Sequence, residues 1–129
     1  MTTPLTETDA TLALIHRFDG VGFNTHDVDA IMADMTEDAV FECHGPAEYR
    51  GRWEGQAAVR AVWEGLFAAL PDCHFATDDI FAAGNRCSYS WTMTWTNPDG
   101  SQGRARGSDV YTVRDGKVAV KTSYIPPME

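Results

Sequence analysis

The chain has 129 residues, of which 43% are hydrophobic and 22% charged, a balance that supports one ordinary globular core and excludes a disordered chain. Its formal net charge of −9 repels nucleic acid and anionic membranes, and no apolar run is long enough to span a bilayer. Cys43, Cys73 and Cys87 are odd in number and widely spaced, which favours reduced thiols in a cytoplasmic protein over a disulfide framework or a zinc site.

The opening stretch, MTTPLTETD, lacks the basic region and apolar core of a secretory signal. Disorder is expected only at Met1 to Glu7 and at the Pro126-Pro127 tail. From Thr8 to Phe23, Leu12, Ile15, Val21 and Phe23 with Ala13 and Leu14 suit an amphipathic helix, capped by Thr6 or Thr8 and weakened at its end by Gly20 and Gly22. After the connection Asn24-Thr25-His26, a second helix is expected from Asp27 to about Met35, with Val28, Ile31, Met32 and Met35 in one stripe. Ala39 to His44 reads as a strand stopped by Gly45-Pro46, and Tyr49 to Trp53 as a short edge strand or loop. A third helix is expected from about Glu54 to Leu70, with Val59, Val62, Trp63, Leu66, Phe67 and Leu70 on one face.

Beyond Pro71-Asp72 the period changes to two. Four long strands are expected over Cys73 to Ala83, Cys87 to Thr96, Arg104 to Val113 and Lys117 to Ile125. Gly84-Asn85, Asn97-Pro98-Asp99-Gly100 and Asp115-Gly116 supply the turn chemistry between them. Helices followed by an antiparallel meander predict a single α+β domain over 1–129, a curved sheet wrapped as a cone over three N-terminal helices and enclosing a pocket.

Four stretches carry a family resemblance: Phe23 to Ile31, Thr36 to Glu42, Gly55 to Asp72 ending in Leu-Pro-Asp, and Ser108 to Val118. Together they resemble the nuclear transport factor two-like superfamily, and within it the SnoaL-like polyketide cyclases and ketosteroid isomerases. The resemblance implies the cone fold with its mixed sheet, a small apolar ligand or substrate, no cofactor, no metal, and a homodimer through the outer sheet face. It does not carry over a full catalytic set. The isomerase base position falls on Cys43, flanked by Glu42 and His44; its first-helix tyrosine falls near Phe18 or Asp19; only its oxyanion-stabilising aspartic acid is matched, by Asp109. The epoxide hydrolase relatives fit no better, since the middle strand Ser88 to Trp95 carries no charge and Ser123 stands where an aspartate precedes the tyrosine.

Asp109 is therefore the first candidate for chemistry. It shares a strand face with Gly107 and Tyr111, and desolvation there would let it hold a proton or take one from carbon. His44 and Tyr124 are candidate catalytic partners, and Phe18, Met32, Cys43, Trp63, Trp91 and Tyr111 are candidate pocket residues. Glu42 and His44 share one face of their strand while Phe41 and Cys43 share the other, so only one pair can point inward without a bulge. The face bearing Tyr89, Trp91, Met93 and Trp95 serves either the cavity or a dimer contact. Arg104 and Arg106 alternate away from Asp109, and His16 and His74 favour solvent. Two functions stay open: cofactor-independent acid–base chemistry (isomerisation, cyclisation or dehydration) on an apolar carbonyl compound such as a polyketide or steroid-like molecule, or non-catalytic binding of a small hydrophobic ligand. A purely structural role, with the cavity filled, is a third.

Overall fold

The computed structural model describes residues 6–127. The disorder expected at Met1 to Glu7 falls mostly outside them; at its inner end Thr6 caps, and Glu7 opens, the first helix. Thr6 Oγ1 accepts from Asp9 N and the Asp9 carboxylate accepts from Thr6 N, so two otherwise unpaired donors at the helix start are satisfied reciprocally.

This first helix is longer than its sequence pattern suggests and is not uniformly wound. It comprises α1 (Glu7–Ile15), a π-helical segment (His16–Gly22) and α2 (Phe23–Thr25), with right-handed helical dihedrals through both joints. Buried neighbours recur as Leu14 and Ile15, Phe18 and Asp19, Gly22 and Phe23. That repeat of four drifts off the face of a 3.6-residue helix, and the wider π turn takes up the drift. His26 ends the helix in the left-handed region (φ 55°), its ring stacked on Phe67 and its Nε2 2.8 Å from the Cys73 carbonyl. Asn24 donates to the Phe75 carbonyl at 2.9 Å and accepts from the Phe75 amide at 2.8 Å, pinning the helix end to the sheet edge.

Helix α3 (Val28–Ala33) is capped by Asp27, whose side chain accepts from Ala30 N. It stops short of the expected Met35 because that residue already pairs with Val118 as the first position of β1 (Met35–His44). A 3₁₀ turn (Ala47–Tyr49) leads to the short edge strand β2 (Gly51–Glu54). Gly55 (φ 86°) turns the chain into α4 (Gln56–Ala69), whose Val59, Trp63 and Phe67 are buried. The meander follows as β3 (His74–Ala83), β4 (Arg86–Thr96), β5 (Gln102–Arg114) and β6 (Lys117–Tyr124).

The sheet order is β2-β1-β6-β5-β4-β3. Every neighbouring pair is antiparallel except β1 with β6, which run parallel, so the sheet is mixed. It curves over the helices as a cone, in the α+β architecture expected. Irregularities in register fall between Met35 and Val40, between Thr77 and Asp79, and between Thr112 and Val113.

Inside the cone the side chains lie in rows across the strands. One row is Phe41, Lys121, Tyr111 and Cys87; the next is Cys43, Ser123, Asp109 and Tyr89. The face of Trp91 and Trp95 is the inner one. Gly107 and Gly103 stand opposite them on β5, where a Cβ would meet the indoles at 2.3 Å and 2.1 Å. Phe23 sits at the centre, edge-on to Phe18, Trp63, Phe67 and Phe75.

Candidate functional site

The interior holds a charged cluster. Asp19, Asp109 and Lys121 are 1%, 1% and 4% exposed. Such burial is tolerated only when charges are paired and hydrogen-bonded, and these are. The Lys121 ammonium donates to Tyr111 Oη at 2.8 Å and to Asp109 Oδ2 at 3.0 Å, and lies 3.4 Å from both oxygens of Asp19. Ser123 Oγ donates to Asp109 Oδ1 at 2.6 Å, and Tyr111 Oη donates to Asp109 Oδ2 at 3.3 Å. The aromatic walls add to this: Nζ sits 4.5 Å from the Phe23 ring centroid and 5.1 Å from that of Tyr111.

Each member is aimed by a different element. The π-helical segment carries Asp19, β5 carries Asp109 and Tyr111, and β6 carries Lys121 and Ser123. Two carboxylates around one ammonium leave a surplus negative charge if all are ionised. Loss of solvation pushes the Asp19 carboxyl up to about 7, against the pull of Lys121 and with the repulsion of Asp109. Desolvation acts to lower Lys121, but the two carboxylates overcome it and hold the ammonium above its ordinary value. The cluster therefore keeps Lys121 charged while exchanging one proton near neutrality.

The sequence-predicted residues divide by face. Asp109 and Tyr111 join the cluster directly; Phe18 and Trp63 flank the ammonium, at 5.5 Å and 5.7 Å from their rings. Cys43 lies in the same row as Asp109, and burial, then the nearby Asp109 charge, raises its thiol above the ordinary range. Burial likewise takes Cys73 and Cys87 up to about 11, so none of the thiols is poised as a nucleophile. Met32 and Trp91 are buried in the same core, and His16 and His74 are exposed.

His44 and Tyr124 are not brought to Asp109. Both alternate to the outer face, where their rings stack at 5.1 Å; Tyr124 is 48% exposed and His44 lies 3.6 Å from Glu42. The physical reason is strand parity: His44 follows the inward Cys43 and Tyr124 follows the inward Ser123, with no bulge between.

The expected pocket residues Phe18, Met32, Cys43, Trp63, Trp91 and Tyr111 all belong to one buried cluster. Two cavities lie nearer the surface. A small cavity of about 130 Å³ lies between α1 and the turns at Asn85 and Asp115. A larger one, about 490 Å³, lies at the rim of the cone among His44, Gly45, Pro46, Glu48, Arg50, Ile125 and Pro127. Within the core, the indole nitrogens of Trp63 and Trp91 have no hydrogen-bond acceptor among the described residues.

Asp19, Lys121 and Ser123 escaped sequence reasoning as site residues. The signal that could have found Lys121 is a basic residue inside a strand, directly after the apolar Val118, Ala119 and Val120.

The model of the SnoaL-like domain family matches residues 15–121. Among solved structures, an NTF2-like protein of unknown function from Mesorhizobium loti is 27% identical, with 95% of this chain and 96% of that one covered and a TM-score of 0.75. A candidate ketosteroid isomerase from Kribbella flavida aligns at 21% identity over 98% and 84% of the two chains, with a TM-score of 0.79. A candidate SnoaL-like polyketide cyclase from Jannaschia sp. CCS1 aligns at 16% identity over 97% and 91%, with a TM-score of 0.78. No curated protein matches the sequence. Among the described residues, no helix is long and apolar enough to cross a membrane.

Proposed function

The chain belongs to the SnoaL-like domain family, and we propose that it is a small-molecule enzyme performing cofactor-independent acid–base chemistry on an apolar carbonyl compound. The observation that carries this reading is the dry Asp19–Lys121–Asp109 cluster. Proton abstraction beside a carbonyl needs a base and a donor for the enolate that develops. Here a carboxylate of the pair removes the proton. The Lys121 ammonium, held by Tyr111 Oη, Asp109 and Asp19, stabilises the oxyanion by its charge and by turning one N–H from the longer Asp19 contacts to the substrate oxygen. The second carboxyl, Asp19, raised to about 7, gives its own proton to the product, and transfer of the abstracted proton from Asp109 to Asp19 within the cluster restores the pair. The unpartnered indole donors of Trp63 and Trp91 suit a substrate bearing acceptor oxygens on an apolar frame, such as a polyketide or steroid-like molecule. Isomerisation, cyclisation and dehydration all use this proton pair.

A second reading, non-catalytic binding, is favoured by one fact: both oxygens of Asp109 already have partners. The two readings separate in D₂O. Cyclic enones and aromatic polyketide esters that bind should lose the proton on the carbon beside the carbonyl to deuterium, followed by NMR. Asp109→Asn should slow that exchange at least 100-fold, the size of a lost general base. Binding with no exchange by wild type for any compound would leave the binding protein. The buried, unpaired Cys43, Cys73 and Cys87 support a cytoplasmic placement. The homodimer is carried by likeness to the family, and sedimentation tests it.

A further inference from the structure

The rim cavity stands in a definite relation to the buried cluster. Along β1 the inward positions run Phe41, Cys43, then Gly45; along β6 they run Lys121, Ser123, then Ile125. The parallel pairing continues past the last strand residues, because Ile125 N donates to the His44 carbonyl at 2.8 Å. A Cβ on Gly45 would lie 3.1 Å from the Ile125 Cβ, so the Ile125 side chain crosses the open space that this glycine leaves. On β5 the inward position after Asp109 is another glycine, Gly107, covered by Trp91. The row above Asp109 is thus built of two glycines, a half-buried isoleucine and an indole. Ile125 packs on the core with one side and lines the 490 Å³ cavity with the other.

The cavity walls carry two opposite charges. Arg50 is spoken for only in part: Nε and Nη2 donate to the Gly45 carbonyl at 3.1 Å each, which fixes the guanidinium, and among the described residues it makes no ion pair. Arg17, Arg52, Arg60 and Arg114 are paired with carboxylates, whereas Arg86, Arg104 and Arg106, like Arg50, make no ion pair among the described residues; Arg50 differs from those three in lining the cavity. Glu48 likewise lines the cavity without an ion-pair partner among the described residues. Pro46 and Ile125 supply the apolar part. A fixed donor and an acceptor on an apolar floor suit a neutral compound, and the net charge of −9 disfavours an anionic one.

We propose that this cavity is the recognition subsite and entrance for the substrate, an uncharged ring compound bearing both a carbonyl and a hydroxyl. Arg50 donates to the carbonyl, Glu48 accepts from the hydroxyl, and Ile125 is the side chain that divides the subsite from Asp109. The proposal deepens the catalytic reading and rests on it for the reaction, while its binding claims are measured without turnover.

The probe is 6-acetyl-2-naphthol, compared with 2-acetonaphthalene and 2-naphthol, titrated by fluorescence. Arg50→Gln should weaken both acetyl compounds about tenfold and spare 2-naphthol; Glu48→Gln should do the reverse, weakening the two naphthols. Equal effects on all three probes, or none, would overturn the assignment. For the entrance, 6-acetyl-2-naphthol should shift the Asp109 carboxyl ¹³C resonance in Ile125→Ala, with Ile125→Val carrying the measurement if the alanine variant does not fold. Binding without that shift would show that the cavity does not lead to the buried acid. Intact probe selectivity with no deuterium exchange in any compound would overturn the catalytic reading and leave this subsite standing.

Discussion

The two faces of one sheet treat charge in opposite ways. On the inner face, Lys121 and Asp109 meet across β5 and β6 in a space lined by Phe18, Phe23 and Trp63. A few residues away on the same strand β5, Arg114 pairs with Asp38, but both are exposed to water. The outer pair is screened and replaceable, whereas each inner charge depends on its partner because neither has solvent to fall back on. An ion pair on the outer face decorates the fold. One on the inner face dictates which residues can surround it.

The contrast is broken most sharply by removing the inner cation. Lys121→Met leaves two carboxyls facing each other in the dry interior and should cost about 3–5 kcal/mol by urea unfolding. Arg114→Met should leave the unfolding midpoint where it was. Next in size is the pH dependence. Asp19 releases its proton near 3.8 in the unfolded chain but near 7 in the folded one, so the folded state binds more protons between those values. Its contribution is fully present below about 4 and is lost as pH rises to about 7; stability measured across that window should fall in wild type and flatten in Asp19→Asn. Burial makes this slope insensitive to 0.5 M salt.

A smaller effect tests the packing. Gly107→Ala would drive a methyl into the Trp91 indole and should cost about 1–3 kcal/mol. Its outward neighbour Arg106→Ala should stay within about 0.5 kcal/mol. Smallest of all, Tyr124→Phe keeps the aromatic stack with His44 on the outer face and should alter both stability and proton exchange little, by under about 0.5 kcal/mol. A large loss of exchange would mean that the outer face takes part in the chemistry after all.

The same two faces explain what the sequence could reveal. Helix stripes and period-two strands made the architecture readable. Parity set His44 opposite Cys43 and grouped Tyr89 with Trp91 and Trp95, but left open which face of those strands turns inward. The partner of Asp109 that it concealed was Lys121. A hairpin with its turn at Asp115-Gly116, continued without irregularity from Arg114 opposite Lys117, would set Asp109 opposite Thr122 and turn Lys121 outward. The irregularity between Thr112 and Val113 slips the pairing by one, so that Asp109 meets Ser123 and Lys121 joins its face. No residue pattern announces that slip. Asp19 was hidden in a related manner, since Gly20 and Gly22 signalled helix weakness and not a change of winding.

The parallel pairing of β6 with β1 has a consequence for how the molecule assembles. Strand β6 lies in the middle of the sheet, yet only β5 is its neighbour in sequence; β1 is separated from it by more than half of the chain. Contacts of such long range make for slow folding, because a large loop must close before they give any return. On a ribosome, the helices and β1 would wait with an open seam until β6 emerged. Lys121 would then enter among the aromatic rings only as that seam closes, so the step that joins β6 to β1 is also the one that assembles the buried charged cluster.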